Sequence, residues 1–136
     1  MTIIVMLDDF GGMVFNHRRQ SQDAVLRQRI LRQLTAGQKL WMNPYSARQF
    51  AKEPQENLII DDAFLTNADE NAVCFVENVP TAEYLPKIDR IVVYRWNREY
   101  PRDMVFDIEL SDWKLTASAE FAGKSHEKIT EEVYVK

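Results

Sequence analysis

The 136-residue sequence predicts an α/β fold, with a mostly parallel central sheet closed by a C-terminal antiparallel hairpin. Three observations carry this reading. The opening run "TIIVML", residues 2–7, is β-branched and apolar on both faces, which suits a strand buried inside a sheet. β-rich runs then alternate with helical spacing, as parallel pairing requires. Finally, two β-rich runs flank Gly123 and read as a closing hairpin.

Each element has its own local reason. Gly11 and Gly12 break the first strand. "SQDAVLRQRILRQLTAG" has helical periodicity, with Leu26, Ile30, Leu31 and Leu34 on one face and Arg27, Arg29 and Arg32 away from it. Ser21 is the expected cap, Asp23 suits the positive end of the dipole, and Gly37 is the expected stop. "KLWM" reads as a short buried strand. Asn43 followed by Pro44 is a strong helix start, opening "YSARQFA". "NLII" and "AVCFVE" are the next strands, joined by a polar loop. Pro80 begins a helical turn that Pro86 ends, and "IDRIVVYRW" is the longest β-rich run. "DWKLTASAEF" and "KITEEVYVK" form the closing pair. There are no internal repeats.

Size and composition bound the function. Residues 1–136 are expected to form one domain with a core of its own. No apolar run approaches the roughly 20 residues of a membrane span. The start has no basic segment before its apolar run, so it does not read as a signal peptide. The lone Cys74 excludes an internal disulfide and fits a reducing cytoplasm, and a bacterial cytoplasmic protein is the expectation. The net charge of −4 argues against nucleic acid as an obligatory partner. The charge is uneven, however: Asn16 to Lys39 carries five Arg and one Lys against one Asp. That basic stretch is either a solvated helix face or a surface that attracts an anion.

The order and residues of these elements resemble the dihydrofolate reductase fold. "YLPKIDRIVVYRW" is similar to that family's passage into its sixth strand. "MVFDIELSDWKL" is similar to the stretch leading to a tryptophan-bearing strand, with Asp107 where a proline would stand. "EKITEEVYVK" is similar to the closing strand. "IIVMLDDFGGM" and "LTAGQKLWMNPYSARQF" resemble the first strand with its loop, and the second strand with its short helix. The resemblance covers nearly the whole chain and implies a three-layer dihydrofolate-reductase-like arrangement. The helix that the family carries between "NLII" and "AVCFVE" is expected to be missing.

The resemblance also implies roles for particular residues. The family's catalytic carboxylate lies in the first turn of the first helix, and Asp23 matches that place; the alternative is that Asp23 simply complements the helix dipole. The family's pyrophosphate site is a Gly-Gly pair after the fifth strand, where Glu77 and Asn78 stand here. That exchange adds bulk and a carboxylate where phosphates would sit, and Pro80 removes an amide donor. The second phosphate motif, Gly-Arg-x-Thr, reads "NPYS". Its arginine is absent, and Asn43 can satisfy the helix amides itself. No cofactor is expected, and NADPH in the family's manner least of all.

The loop between first strand and first helix lies over the family's cleft. His17, Arg18, Arg19, Ser21 and Asp23 would then form one wall of a polar pocket, with Asn43, Tyr45, Glu77 and Asn78 opposite. Trp96, among Arg95, Asn97 and Arg98, could stack a planar ligand or be a strand-end tryptophan. The expected partner is a small polar or anionic molecule.

Other chemistries find little support. His17 and His126 have no H-x-H or H-E-x-x-H spacing, so no metal site is expected from them. The pairs Asp8–Asp9 and Asp61–Asp62 could hold one Mg²⁺ but read more simply as strand-end solvation. No G-x-S-x-G is present, and Ser21 and Ser125 read as cap and turn residues. Cys74 reads as an inert core thiol. The leading expectation is a ligand binder without reductase activity. The alternatives are a divergent NADPH-dependent reductase and a protein- or RNA-interaction module using the basic first helix.

Overall fold

The computed structural model describes all 136 residues. Ten strands run in chain order: β1 (Thr2–Leu7), β2 (Gly12–Phe15), β3 (Arg18–Arg19), β4 (Leu40–Met42), β5 (Leu58–Ile60), β6 (Val73–Val76), β7 (Arg90–Arg95), β8 (Met104–Val105), β9 (Lys114–Phe121) and β10 (Ile129–Val135). Three α-helices join them: α1 (Ala24–Arg32), α2 (Pro44–Gln49) and α3 (Phe64–Asn67). The main sheet has seven strands in the order β5-β4-β6-β1-β7-β10-β9. β1 pairs in parallel with both β6 and β7, while β10 runs antiparallel to β7 and β9.

The alternation of β1 accounts for a core on each side of this sheet. Ile3, Val5 and Leu7 point to one face, where they join Cys74, Val76, Ile91, Val93, Phe64 and Leu65. Ile4 and Met6 point to the other, against Phe75, Tyr94, Leu26, Ile30 and Phe50. Covering both faces is what makes the strand apolar throughout. The result is the expected α/β arrangement, with a mostly parallel sheet and a C-terminal antiparallel hairpin.

Several expectations need correction. In the stretch expected to be a loop and helix lead-in, β2 and β3 form a hairpin, which β8 joins to make a second, three-stranded sheet, β3-β2-β8. Asn16 and His17 have φ of 50° and 63°, so two left-handed residues make the tight turn between β2 and β3. The cap of α1 is Asp23 rather than Ser21, and the helix ends at Arg32 instead of running to Gly37. Gly37, with φ of 80°, makes the turn into β4. Between β5 and β6, where the family's helix is expected to be missing, the chain makes only a single helical turn, α3. The turn after Pro80 is a 3-10 helix, Ala82–Lys87, which contains Pro86 rather than ending at it. Asp107 explains its own departure from proline: its carboxylate accepts from the backbone N–H groups of Thr81 and Ala82 and from the Thr81 hydroxyl.

Candidate functional site

The chain between β1 and α1 brings most of the singled-out residues into two polar clusters beside one open cleft. The first cluster closes on Glu77, the residue after β6, which is 4% exposed. Its carboxylate receives Arg19 Nε at 2.7 Å and Nη2 at 3.1 Å, Ser46 Oγ at 2.8 Å and Gln49 Nε2 at 3.0 Å. Burial opposes the charge on Arg19, but the hydrogen bonds to Glu77 outweigh it and hold the guanidinium pKa above its ordinary value. The guanidinium lies 4.5 Å over the Tyr45 ring, and the Tyr45 hydroxyl accepts from Arg19 N at 2.8 Å. Next to it, Asn43 caps α2 through Ser46 N and donates to Asn78 Oδ1 at 2.8 Å. The two expected pocket walls therefore touch: Arg19 reaches across and fills the space in front of Glu77.

The second cluster closes on His126, in the turn between β9 and β10. Its Nδ1 lies 2.9 Å from Asp23 Oδ2, and its Nε2 lies 2.9 Å from Ser21 Oγ and 3.2 Å from the Tyr100 hydroxyl. Trp96, 3% exposed, stacks on the imidazole with ring centroids 4.5 Å apart. It is thus buried and already has a planar partner. Asp23 also accepts from the backbone N–H groups of Val25, Leu26, Lys124 and Ser125. Burial alone would raise its pKa. The bonds from His126, Lys124, Ser125 and Val25 overcome that and hold the carboxyl well below the usual range. At 2% exposure, Asp23 is covered by the β9–β10 turn and presents no free edge to a heterocycle.

The cleft lies between these clusters. It is about 450 Å³ and lined by Phe15, Asn16, Arg18, Arg19, Gln20, Tyr100 and Pro101. Asp8, fully buried, positions its floor by accepting from Gln20 Nε2 at 3.1 Å and Tyr100 N at 3.2 Å. It also accepts from the backbone of Phe10 and Gly12, so this carboxylate organises loops instead of solvating a strand end. Arg18 is exposed at the rim, and His17 is exposed at the hairpin tip. Of the basic first helix, Arg29 is bound to Glu131 at 2.9 Å and Arg27 lies 3.7 Å from Glu53, so much of that charge is neutralised in place.

Among the residues singled out in the sequence, Arg19, Tyr45 and Glu77 meet, as do Asn43 and Asn78. Ser21, Asp23 and Trp96 converge on His126, a residue the sequence does not mark as part of the site. Tyr100, Ser46 and Gln49 were also missed. The only sequence signal for His126 was a histidine beside Ser125 in a strand-to-strand turn.

The strand order, the two-faced core and the cleft between the β1–α1 segment and the strand ends define a protein of dihydrofolate reductase fold. A solved structure it resembles is dihydrofolate reductase from Enterococcus faecalis complexed with NADP(H) and RAB-propyl. The two agree with a TM-score of 0.68 over 98% of this chain and 94% of that one, at 13% sequence identity. No family model and no curated protein matches the sequence. No helix is long and apolar enough to cross a membrane.

Proposed function

We propose that this chain uses a dihydrofolate reductase fold to bind a small anionic ligand, without NADPH-dependent reductase activity. The observation that carries the reading is Glu77. The residue sits where the resemblance implies a pyrophosphate, and its own carboxylate takes up Arg19, Ser46 and Gln49. A phosphate brought there would meet a buried negative charge. Asn43 and Asn78 are likewise spent on each other. What stays open is the cleft with Arg18 at its rim and the Phe15 and Tyr100 rings in its lining, a combination that suits a small organic anion with an apolar part.

A thermal-shift panel of aromatic and aliphatic carboxylates, nucleoside monophosphates, pterins and NADPH tests this. A ligand at about 100 times its dissociation constant adds about 2.7 kcal/mol of stability. At least one carboxylate or monophosphate is expected to raise the melting temperature, and Arg18→Ala to remove the effect. Saturable quenching of tryptophan fluorescence by micromolar NADPH would overturn the reading.

A further inference from the structure

We propose that Ser21, His126 and Asp23 form a nucleophilic triad that hydrolyses a carboxylic ester bearing an anionic group. The geometry follows the logic of such a triad. Asp23, ionised and almost fully buried, accepts the Nδ1 proton of His126, which fixes the tautomer and leaves Nε2 bare. The Ser21 hydroxyl, 2.9 Å away, can then give its proton to Nε2. Trp96, stacked on the imidazole, holds the ring plane. Ser21 is only partly buried and directly follows Gln20, a residue of the cleft. Tyr100, which lines the cleft, places its hydroxyl on the same nitrogen at 3.2 Å. The cluster links residues 103 positions apart, and neither helix capping nor the β9–β10 turn requires a hydroxyl on Nε2.

The reaction balances with water alone. Ser21 Oγ bonds to the ester carbonyl carbon while its proton passes to His126 Nε2. The carbon–oxygen bond to the leaving group breaks, and the departing alkoxide takes the proton from His126. Water, deprotonated by His126, then attacks the acyl-serine, releasing the carboxylic acid and restoring the Ser21 hydroxyl. The choice of an anionic ester rests on the ligand reading above, through Arg18; the triad itself does not.

The test treats the folded protein with a fluorophosphonate probe, maps the adduct by peptide mass, and measures hydrolysis of p-nitrophenyl acetate and mono-p-nitrophenyl succinate. The expected result is one adduct at Ser21, and faster turnover of the succinate ester with a preference that Arg18→Ala removes. Ser21→Ala is expected to abolish both labelling and turnover. His126→Gln is expected to slow turnover by about 10²–10⁴-fold. Because His126 is buried, the mapped adduct in the unmutated protein decides the matter should that variant misfold. An unlabelled protein, an adduct elsewhere, or full turnover by Ser21→Ala overturns the triad. Anion binding with Ser21 unlabelled defeats the triad and leaves the binding reading standing. Labelled Ser21 with no preference between the esters does the reverse.

Discussion

Replacing Arg19 with Met tests what holds the Arg19 and Glu77 walls together. The substitution keeps much of the aliphatic stem but removes both charge-assisted bonds to Glu77, at 2.7 and 3.1 Å. Breaking a buried ion pair from one side costs about 3–5 kcal/mol, because the partner charge is left without compensation. Two features place this case near the lower end. The Arg19 side chain keeps 19% of its exposure, and Ser46 and Gln49 still donate to Glu77. The expected loss is therefore about 3 kcal/mol. With a urea m-value of about 2 kcal/mol/M, the midpoint should fall by about 1.5 M. The pair can be separated from its members by a double-mutant cycle with Glu77→Gln, in which the double variant should recover more than 1 kcal/mol relative to additivity. Arg18→Ala, exposed at the rim, serves as the comparison and should stay within about 0.5 kcal/mol of the parent. An Arg19→Met midpoint indistinguishable from that of Arg18→Ala would refute the reasoning. The walls would then be held by something other than this pair.

Four further outcomes follow. Asp23→Asn should cost at least about 3 kcal/mol, since an amide nitrogen would face the donors that now converge on one carboxylate; a loss under 1 kcal/mol in urea melts contradicts this. Asp23 titrates lower in the folded than in the unfolded chain, where the value is about 3.9. Its stabilisation is thus complete above about pH 4 and lost as pH falls toward the folded pKa, so acid unfolding curves should be shallower below pH 4 for Asp23→Asn than for the parent. Burial pushes the Cys74 thiol up to about 12, and a thiol reagent at pH 8 should label it slowly until denaturant is added; prompt labelling of the folded protein would place it outside the core. Gly123→Ala should destabilise by about 1–3 kcal/mol, because its Cβ would lie 2.5 Å from Asp23 Oδ2 and 3.0 Å from Ile129 Cδ1; an unchanged melting temperature would show that the turn gives way freely.

The sheet was legible in the sequence because its signals are local. The two-faced apolarity of β1, the Asn43–Pro44 start of α2 and the β-rich closing pair each announce themselves within a few residues. The β2–β3 hairpin was not legible. Its turn is made by Asn16 and His17 with positive φ, where the familiar sequence signal for such a turn has glycine second. Ser21 and Asp23 both satisfy the cap preference for a short polar side chain, and only tertiary contacts select Asp23. The candidate site divides in the same way. Residues flagged individually did converge, but their pairings could not be read. Arg19 finds Glu77 from 58 positions away, and Asp23 finds His126 from 103. The spacing of His126 to the other histidine bears on metal binding and says nothing about a carboxylate delivered by another part of the fold.

The β9–β10 turn also sets an order of assembly. During synthesis α1 emerges well before the partners of its cap residue, because the bonds from Lys124, Ser125 and His126 to Asp23 come from residues about a hundred positions further on. β10 is needed as well, because it lies between β7 and β9 in the sheet. Until then Asp23 can cap its own helix but has no imidazole to hold, and the Ser21 hydroxyl has no imidazole beside it. A nascent or prematurely terminated chain ending after β9 would carry the cleft-lining hairpin without the cluster beside it. The full set of bonds on Asp23 would therefore form only once β9, the turn after it and β10 have all been made.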